Sequence, residues 1–443
     1  MELKMNMNAT GQWYQSLTFK MILIGVMVLI LLIPLGMVKS VITEREETEQ
    51  QVDQEMMLQW GGPQIISGPI LHVPLTYYIK DDDKVKKSHK WLHIMPEDLN
   101  VSGNVLPEIR YRGIYKKVLY NSELKIHGSF GDLTKVTTNA QKVDWDNAYL
   151  TLAVSDNRGI KGNVIFNWMG LNQEPEAGLI TTDLASSGMS IKVPLSEGVL
   201  AGKKVFDISM QVSGSNGLTF NPIGKKTDIQ LKSSWKDPNF IGSFLPTERS
   251  ISETGFSAQW TVTNLNRNFP QYWEGRSYSI DEHQLGVDLF VPVNHYQKSI
   301  RSAKYGILII TLTLLVFLFT ELVKKKRIQL FQYFLVGLAL VLFFSILTAL
   351  SEHIGFSRAY LIASLGIVSM VTLYSYGILK DRVQAIWIFL SLAILYAFLF
   401  VLLQLNDFAF LAGNIGLFIA LAAIMKASSK IKTGNIFNTS IES

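Results

Sequence analysis

The sequence predicts an α-helical integral membrane protein with a large, mainly-β extracytoplasmic domain. The expected architecture is one N-terminal transmembrane helix, then the domain, then a five-helix C-terminal bundle. Three observations predict this. A long apolar run, Met21 to Val38, stands near the start; a nearly unbroken apolar series runs from Tyr305 to Met425; and the residues between are mostly polar, in short β-rich runs. About 18 or more uncharged apolar residues suffice to cross the ~30 Å hydrocarbon core as a helix. Averages over the 443 residues, 48% hydrophobic and 17% charged, conceal this division.

Residues 1–39 are read as a cytoplasmic N-terminus and the first span, about 21–38. Its apolar core exceeds that of a signal peptide, and Leu35-Gly36-Met37-Val38-Lys39-Ser40 offers no small-x-small cleavage site, so an uncleaved anchor is expected. Residues 40–60 predict a helical stalk. Val41, Arg45, Val52, Met56 and Trp60 recur at helical spacing, and neither Pro nor Gly appears before Gly61-Gly62-Pro63. Glu44, Glu46, Glu47 and Glu49 read as a solvated face of that helix.

Residues 61–293 carry short β-branched and aromatic runs bounded by turn residues. Strands are expected at 70–79, 91–94, 122–130, 149–154, 164–168, 191–193, 205–210, 229–235 and 256–262. Their number and spacing favour a sandwich or two packed sheets over a parallel α/β sheet. The chain has no cysteine, so this domain must be held by its own core, which its length can supply. After a re-entry linker, 294–304, come five spans at about 305–323, 330–350, 361–379, 383–403 and 408–425, then a tail, 426–443.

The breaks between spans set orientation. Lys324, Lys325, Lys326 and Arg327 form one basic loop, and Lys380 and Arg382 frame another. Short loops rich in Lys and Arg stay in the cytoplasm, so these residues are the topology determinants and both termini are expected inside.

Candidate chemistry is sparse. His89 and His93 have a spacing that would chelate from a helix, but they fall on a predicted strand, where positions i and i+4 lie ~13 Å apart. Gly202-Lys203-Lys204 and Gly224-Lys225-Lys226 lack the remainder of a phosphate loop and read as turns. No His-Glu-x-x-His or Gly-x-Ser-x-Gly occurs, so no catalytic, cofactor or metal residue is assigned and no enzyme is expected. The net charge of +5 is spread over the ends of apolar runs, which argues against a nucleic-acid partner. The spans 330–350, 361–379 and 383–403 contain no ionisable group of the kind that relays charge in transporters. Glu321 is expected to pair near its helix end. Ser364, Ser369, Thr372, Ser375 and Asn414 are expected to bond between helices. The outer turn Ser351-Glu352-His353-Ile354-Gly355-Phe356-Ser357-Arg358 gathers charge at the membrane face. Glu352, His353 and Arg358, with Asp407 in the last outer loop, are the candidate contacts between domain and bundle.

That turn, with Gln332-Tyr333-Phe334-Leu335-Val336-Gly337-Leu338-Ala339-Leu340 before it, resembles the signature region of the CreD family of inner-membrane proteins. The likeness continues in Trp60-Gly61-Gly62-Pro63, Gly68-Pro69-Ile70-Leu71-His72-Val73-Pro74, Arg112-Gly113-Ile114-Tyr115, Ser233-Ser234-Trp235, Phe244-Leu245-Pro246 and Arg301-Ser302-Ala303-Lys304-Tyr305-Gly306. Leu330-Phe331 stands where the family pattern has a His-Pro pair, so no role of that pair carries over. The resemblance implies a multi-pass protein of the Gram-negative inner membrane with a periplasmic domain, linked to cell-envelope integrity, colicin tolerance and a cell-wall stress regulon. It implies no reaction. The expected partners are membrane lipids and an envelope component or protein bound by the domain, with a homo-oligomer possible; the alternative is a transporter or lipid-handling protein working through its bundle.

Overall fold

A computed structural model describes residues 17–81, 84–289, 295–324, 327–405 and 408–429. It divides into two compact units, Gln50–Pro292 and a second formed by Met1–Glu49 with Val293–Ser443. The fold class is the one the sequence predicts: an apolar N-terminal helix, a mainly-β middle and a run of apolar C-terminal helices.

Helix α1 (Leu17–Trp60) is a single helix of 44 residues. Span and stalk are therefore one element, because no Gly or Pro interrupts the chain between Met37 and Trp60. Pro34 lies in the apolar part, where membrane helices tolerate it. Among the described residues, five helices are long and apolar enough to cross a membrane, namely α1, Gly306–Val323, Leu330–Ile354, Phe356–Leu379 and Arg382–Gln404. The re-entry segment is helix α2 (His295–Lys304), which buries Tyr296, Ser299, Ser302 and Ala303 along one face. It leads into α3 (Gly306–Lys324), α4 (Leu330–Ile354), α5 (Phe356–Leu379), α6 (Arg382–Gln404) and α7 (Ala409–Ser429). The last of these is apolar over the shorter Leu411–Lys426.

In the β unit two sheets, of ten and eight strands, share one hydrophobic core. Four long strands open it: β1 (Gln64–Asp81), β2 (Lys84–Ile94), β3 (Asp98–Arg112) and β4 (Tyr115–Phe130). Both sheets are mixed, since β1 runs parallel to Gly217–Phe220 and β3 parallel to Lys226–Ser233. Sequence reading overlooks β3. It buries Leu99, Val101, Gly103 and Val105 on one face but exposes Asn100, Ser102 and Asn104 on the other, residue types poor in β propensity. Trp260, Tyr120, Phe130, Phe166, Phe206 and Phe220 are fully buried and fill the space between the sheets.

The last turns of α1 are fixed to the β unit by charge and by an aromatic anchor. Asp53 pairs with Lys117 of β4 at 2.7 Å, and Glu55 with Arg112 of β3 at 2.9 Å. The Trp60 ring has the Arg110 guanidinium 4.1 Å and the Lys161 ammonium 5.5 Å from its centroid, a cation–π arrangement. At Gly61, φ of +122° breaks the helix in a conformation that strains other residues. The Gly62 amide then donates to Asp156 at 3.0 Å, a carboxyl that the Arg158 guanidinium beside it pulls down to about 2. Expressed alone, residues 50–292 are expected to unfold cooperatively in urea without lipid or detergent, and identically with dithiothreitol. A gradual, non-cooperative loss of far-UV signal would count against a self-sufficient core.

Candidate functional site

Three polar constellations stand out against the apolar framework. At the turn expected to face outward, α4 and α5 join through Gly355 (φ +82°). Glu352 is half-buried and accepts a hydrogen bond from the Tyr296 hydroxyl of α2 at 2.8 Å, while His353 and Arg358 are exposed. Lys298 donates to Gln404 at 3.4 Å, Gln404 to Ser357 at 3.4 Å, and Arg301 to the Leu405 carbonyl at 2.9 Å. The turn is thus tied to the re-entry helix and to the end of α6. Asp407 lies outside the described residues. Of the basic topology residues, Lys324 ends α3, Arg327 is exposed, and exposed Lys380 and Arg382 flank the start of α6; Lys325 and Lys326 lie outside the described residues.

At the opposite end of the bundle, Glu321 of α3 is buried. It pairs with Lys20 of α1 and accepts from the Tyr333 hydroxyl of α4 at 2.8 Å; Lys20 also donates to the Ile328 carbonyl at 3.2 Å. Glu321 does pair near its helix end, as expected, but its partners are on two other helices. Between these ends α1 lies directly on α3 and α4. Its Ile24, Met27, Leu31, Leu35 and Ile42 are buried, and any side chain at Gly337 would collide with Leu31. Small residues at such crossings let helix backbones approach closely in lipid. By contrast, Ser364, Thr372 and Ser375 donate to Leu361, Val368 and Val371 of their own helix, so the interhelical bonds expected of them are absent. A hydroxyl in a helix can satisfy itself on the carbonyl one turn back without any partner helix.

The third constellation is in the β unit, and sequence reading missed it. β1 and β2 pair antiparallel from Asp81 with Lys84, which places His72 opposite His93. Both are buried, with Nδ1 to Nδ1 2.7 Å, and His72 Nε2 is 2.7 Å from Thr151 Oγ1. His93 Nε2 faces Asp183 Oδ2 at 3.4 Å, and Asp183 Oδ1 accepts from Arg276 at 3.0 Å. One proton arrangement with both rings neutral serves the two short contacts and leaves an N–H on the side of Asp183. Thr151 donates to His72 Nε2, His72 Nδ1–H donates to His93 Nδ1, and His93 Nε2–H points to Asp183. Burial, and then the neighbouring His93, lower the His72 pKa well below the usual imidazole value. Burial also lowers that of His93, against the opposing pull of Asp183. The family-like segment containing His72 and the predicted strands at 70–79 and 91–94 were visible; the hairpin register that joins the two rings was not.

His89 of the same strand faces Thr76 instead, at 3.4 Å. Among the described residues no three His, Asp or Glu side chains are placed to hold a metal ion. Lys204, read from sequence as part of a turn, is fully buried. Its ammonium donates to the carbonyls of Leu200, Gly202 and Gly131, and burial lowers its pKa.

Two comparisons place this chain among known proteins. The family described as inner membrane protein CreD matches residues 16–433. The inner membrane protein CreD of Escherichia coli (strain K12) is 33% identical over 415 residues, 91% of each chain. With the anchor helix, the β unit and the helical bundle all inside the matched region, the chain belongs to the CreD family of inner membrane proteins.

Proposed function

We infer that this protein is a non-enzymatic guardian of the cell envelope, in which the β unit faces the periplasm and binds an envelope component or a protein partner there. The observation that carries this reading is that membrane-length helices enter and leave the β unit, α1 before it and α3 beyond α2 after it, so the chain presents a large folded unit at the membrane. The basic residues at Lys324, Arg327, Lys380 and Arg382 favour placing both termini in the cytoplasm and the β unit outside. A transport pathway has less support. The described bundle interior is filled by Leu340, Phe343, Phe344, Leu347, Ile388 and Leu392. A cleft of about 460 Å³ between α5 and α6 is lined almost wholly by apolar and aromatic groups. Colicin tolerance and stress protection follow from the family resemblance as part of the same proposal.

The deciding experiment is complementation. In a strain lacking this protein, the full chain is expected to restore detergent and colicin phenotypes, and a chain with residues 61–292 replaced by a short linker is not, at equal membrane abundance. Equal rescue by both would end the reading. Orientation has its own test: reporters fused after Lys326 or Arg382 are expected to be cytoplasmic, and those within 65–290 or after Asp407 extracytoplasmic. Labelling of Lys380 from outside intact spheroplasts would reverse the scheme. His353 and Arg358 remain proposed docking residues for the β unit, together with Glu352 and Asp407. Arg358→Ala should then weaken protection without lowering membrane abundance, whereas Lys432→Ala should change neither.

A further inference from the structure

Where α1 leaves the apolar layer it forms, with α4, a cleft of about 240 Å³. Val38, Val41, Ile42 and Ala349 are among its apolar walls, and Arg45 and Glu352 line it as well. The two helices run side by side in the same direction. Leu31 lies over Gly337, and Leu35 and Phe344 both close on Gly306 further along. The same progression carries Arg45 to the level of Glu352, so cation and anion share one end of the cleft. That level is the membrane interface. Arg45 stands two turns past Val38, roughly 10 Å along the helix, and its long side chain can reach back toward the apolar boundary. Glu352 follows closely on Leu350, the last apolar residue of α4 before Ser351. The headgroup layer adds roughly 5–7 Å beyond the hydrocarbon on each side.

A guanidinium and a carboxylate above an apolar cleft match one headgroup chemistry, a phosphate diester joined to a primary ammonium. The guanidinium offers paired N–H donors to phosphate oxygens, and the carboxylate accepts from the ammonium. Glu352 Oε1 is held by Tyr296 at 2.8 Å, which orients the carboxylate. The hydroxyl of Thr348, also in the wall, donates to the Phe344 carbonyl at 2.9 Å and so adds no donor to the apolar part. A glycerol headgroup brings no cation to Glu352; a choline headgroup brings a charge but no N–H.

We propose that this cleft binds a phosphoethanolamine lipid, with its phosphate on Arg45, its ammonium on Glu352, and its glycerol and upper acyl chain against Val38, Val41, Ile42 and Ala349. The test uses the full-length protein in mild detergent, titrated with dioctanoyl phosphatidylethanolamine, phosphatidylglycerol or phosphatidylcholine and read by native mass spectrometry. The wild type is expected to retain the ethanolamine lipid about tenfold better than the other two, the size of one charge-assisted hydrogen bond. Glu352→Gln should bring the three lipids within about twofold of one another, and Arg45→Gln should lower retention of all three. Equal retention of the three by the wild type, or selectivity unchanged in both variants, would overturn the proposal. So would a protein dimer whose crosslinks pass through Val41 and Ala349 and exclude lipid. The wild-type ranking requires no variant to fold.

Discussion

Glu321→Ala is expected to destabilise the helical bundle by about 3–5 kcal/mol, because it leaves the Lys20 ammonium unpaired among apolar helices and the Tyr333 hydroxyl without its acceptor. The loss exceeds anything the pair contributes as a pair. Removing both charges while keeping an acceptor for Tyr333 should therefore recover most of it, and Lys20→Met with Glu321→Gln is the variant that does so. Thermal unfolding of the purified protein in one detergent gives the ranking: wild type and the double variant close together, Glu321→Ala far below. The interpretation fails if Glu321→Ala unfolds within the error of wild type, or if the double variant is as unstable as the single one. Gly337→Leu offers a steric control, since it disturbs the same α1–α4 crossing without touching a charge.

Glu321 and its partner differ in how far the sequence reveals them. That Glu321 would find a partner near its helix end followed from its standing three residues before Lys324. That the partner would be Lys20 did not, because it depends on which helix packs against α3, and the two residues are 301 positions apart in the chain. The first five spans were legible because each is long and nearly uncharged, and bilayer thickness fixes the length required, whereas the last helix is apolar only over Leu411–Lys426. Strand β3 was not, since its signal is an alternation of small polar and apolar residues rather than a run of β-branched ones. The histidine pair needed the register of β1 and β2, and a shift of one residue would have turned His93 to the opposite face of the sheet from His72. Glu352 belongs to a charged turn that is plain in the sequence. The sequence offered no means of foreseeing Tyr296 as its partner, because the segment 294–304 read as a linker and folds as a helix.

The β unit should become less stable as pH falls from 7 to 5, and His72 and His93 should account for most of the change. Each ring is buried and neutral in the fold, with its pKa lowered, whereas in the unfolded chain it titrates near 6.5. Below that pH the unfolded state binds more protons than the folded one, so stability is fully present above about 6.5 and is lost on acidification. Linkage limits the loss to at most about 2 kcal/mol per histidine over this interval. The groups that meet the pair do not cancel it. Thr151 and Trp273 carry no charge, Asp183 pulls the His93 pKa upward without overcoming burial, and the Arg276 guanidinium on Asp183 weakens that pull. Half-buried Asp288, whose pKa burial raises, works in the opposite direction and is present in any variant used for comparison. Urea unfolding of residues 50–292 at pH 5, 6, 7 and 8 measures the slope. The same series on His72→Gln with His93→Gln should be nearly flat between pH 7 and 5, since an amide can both donate and accept along the Thr151 to Asp183 path without titrating. Parallel slopes for the two proteins would show that the pair is charged, or open to water, in the folded state.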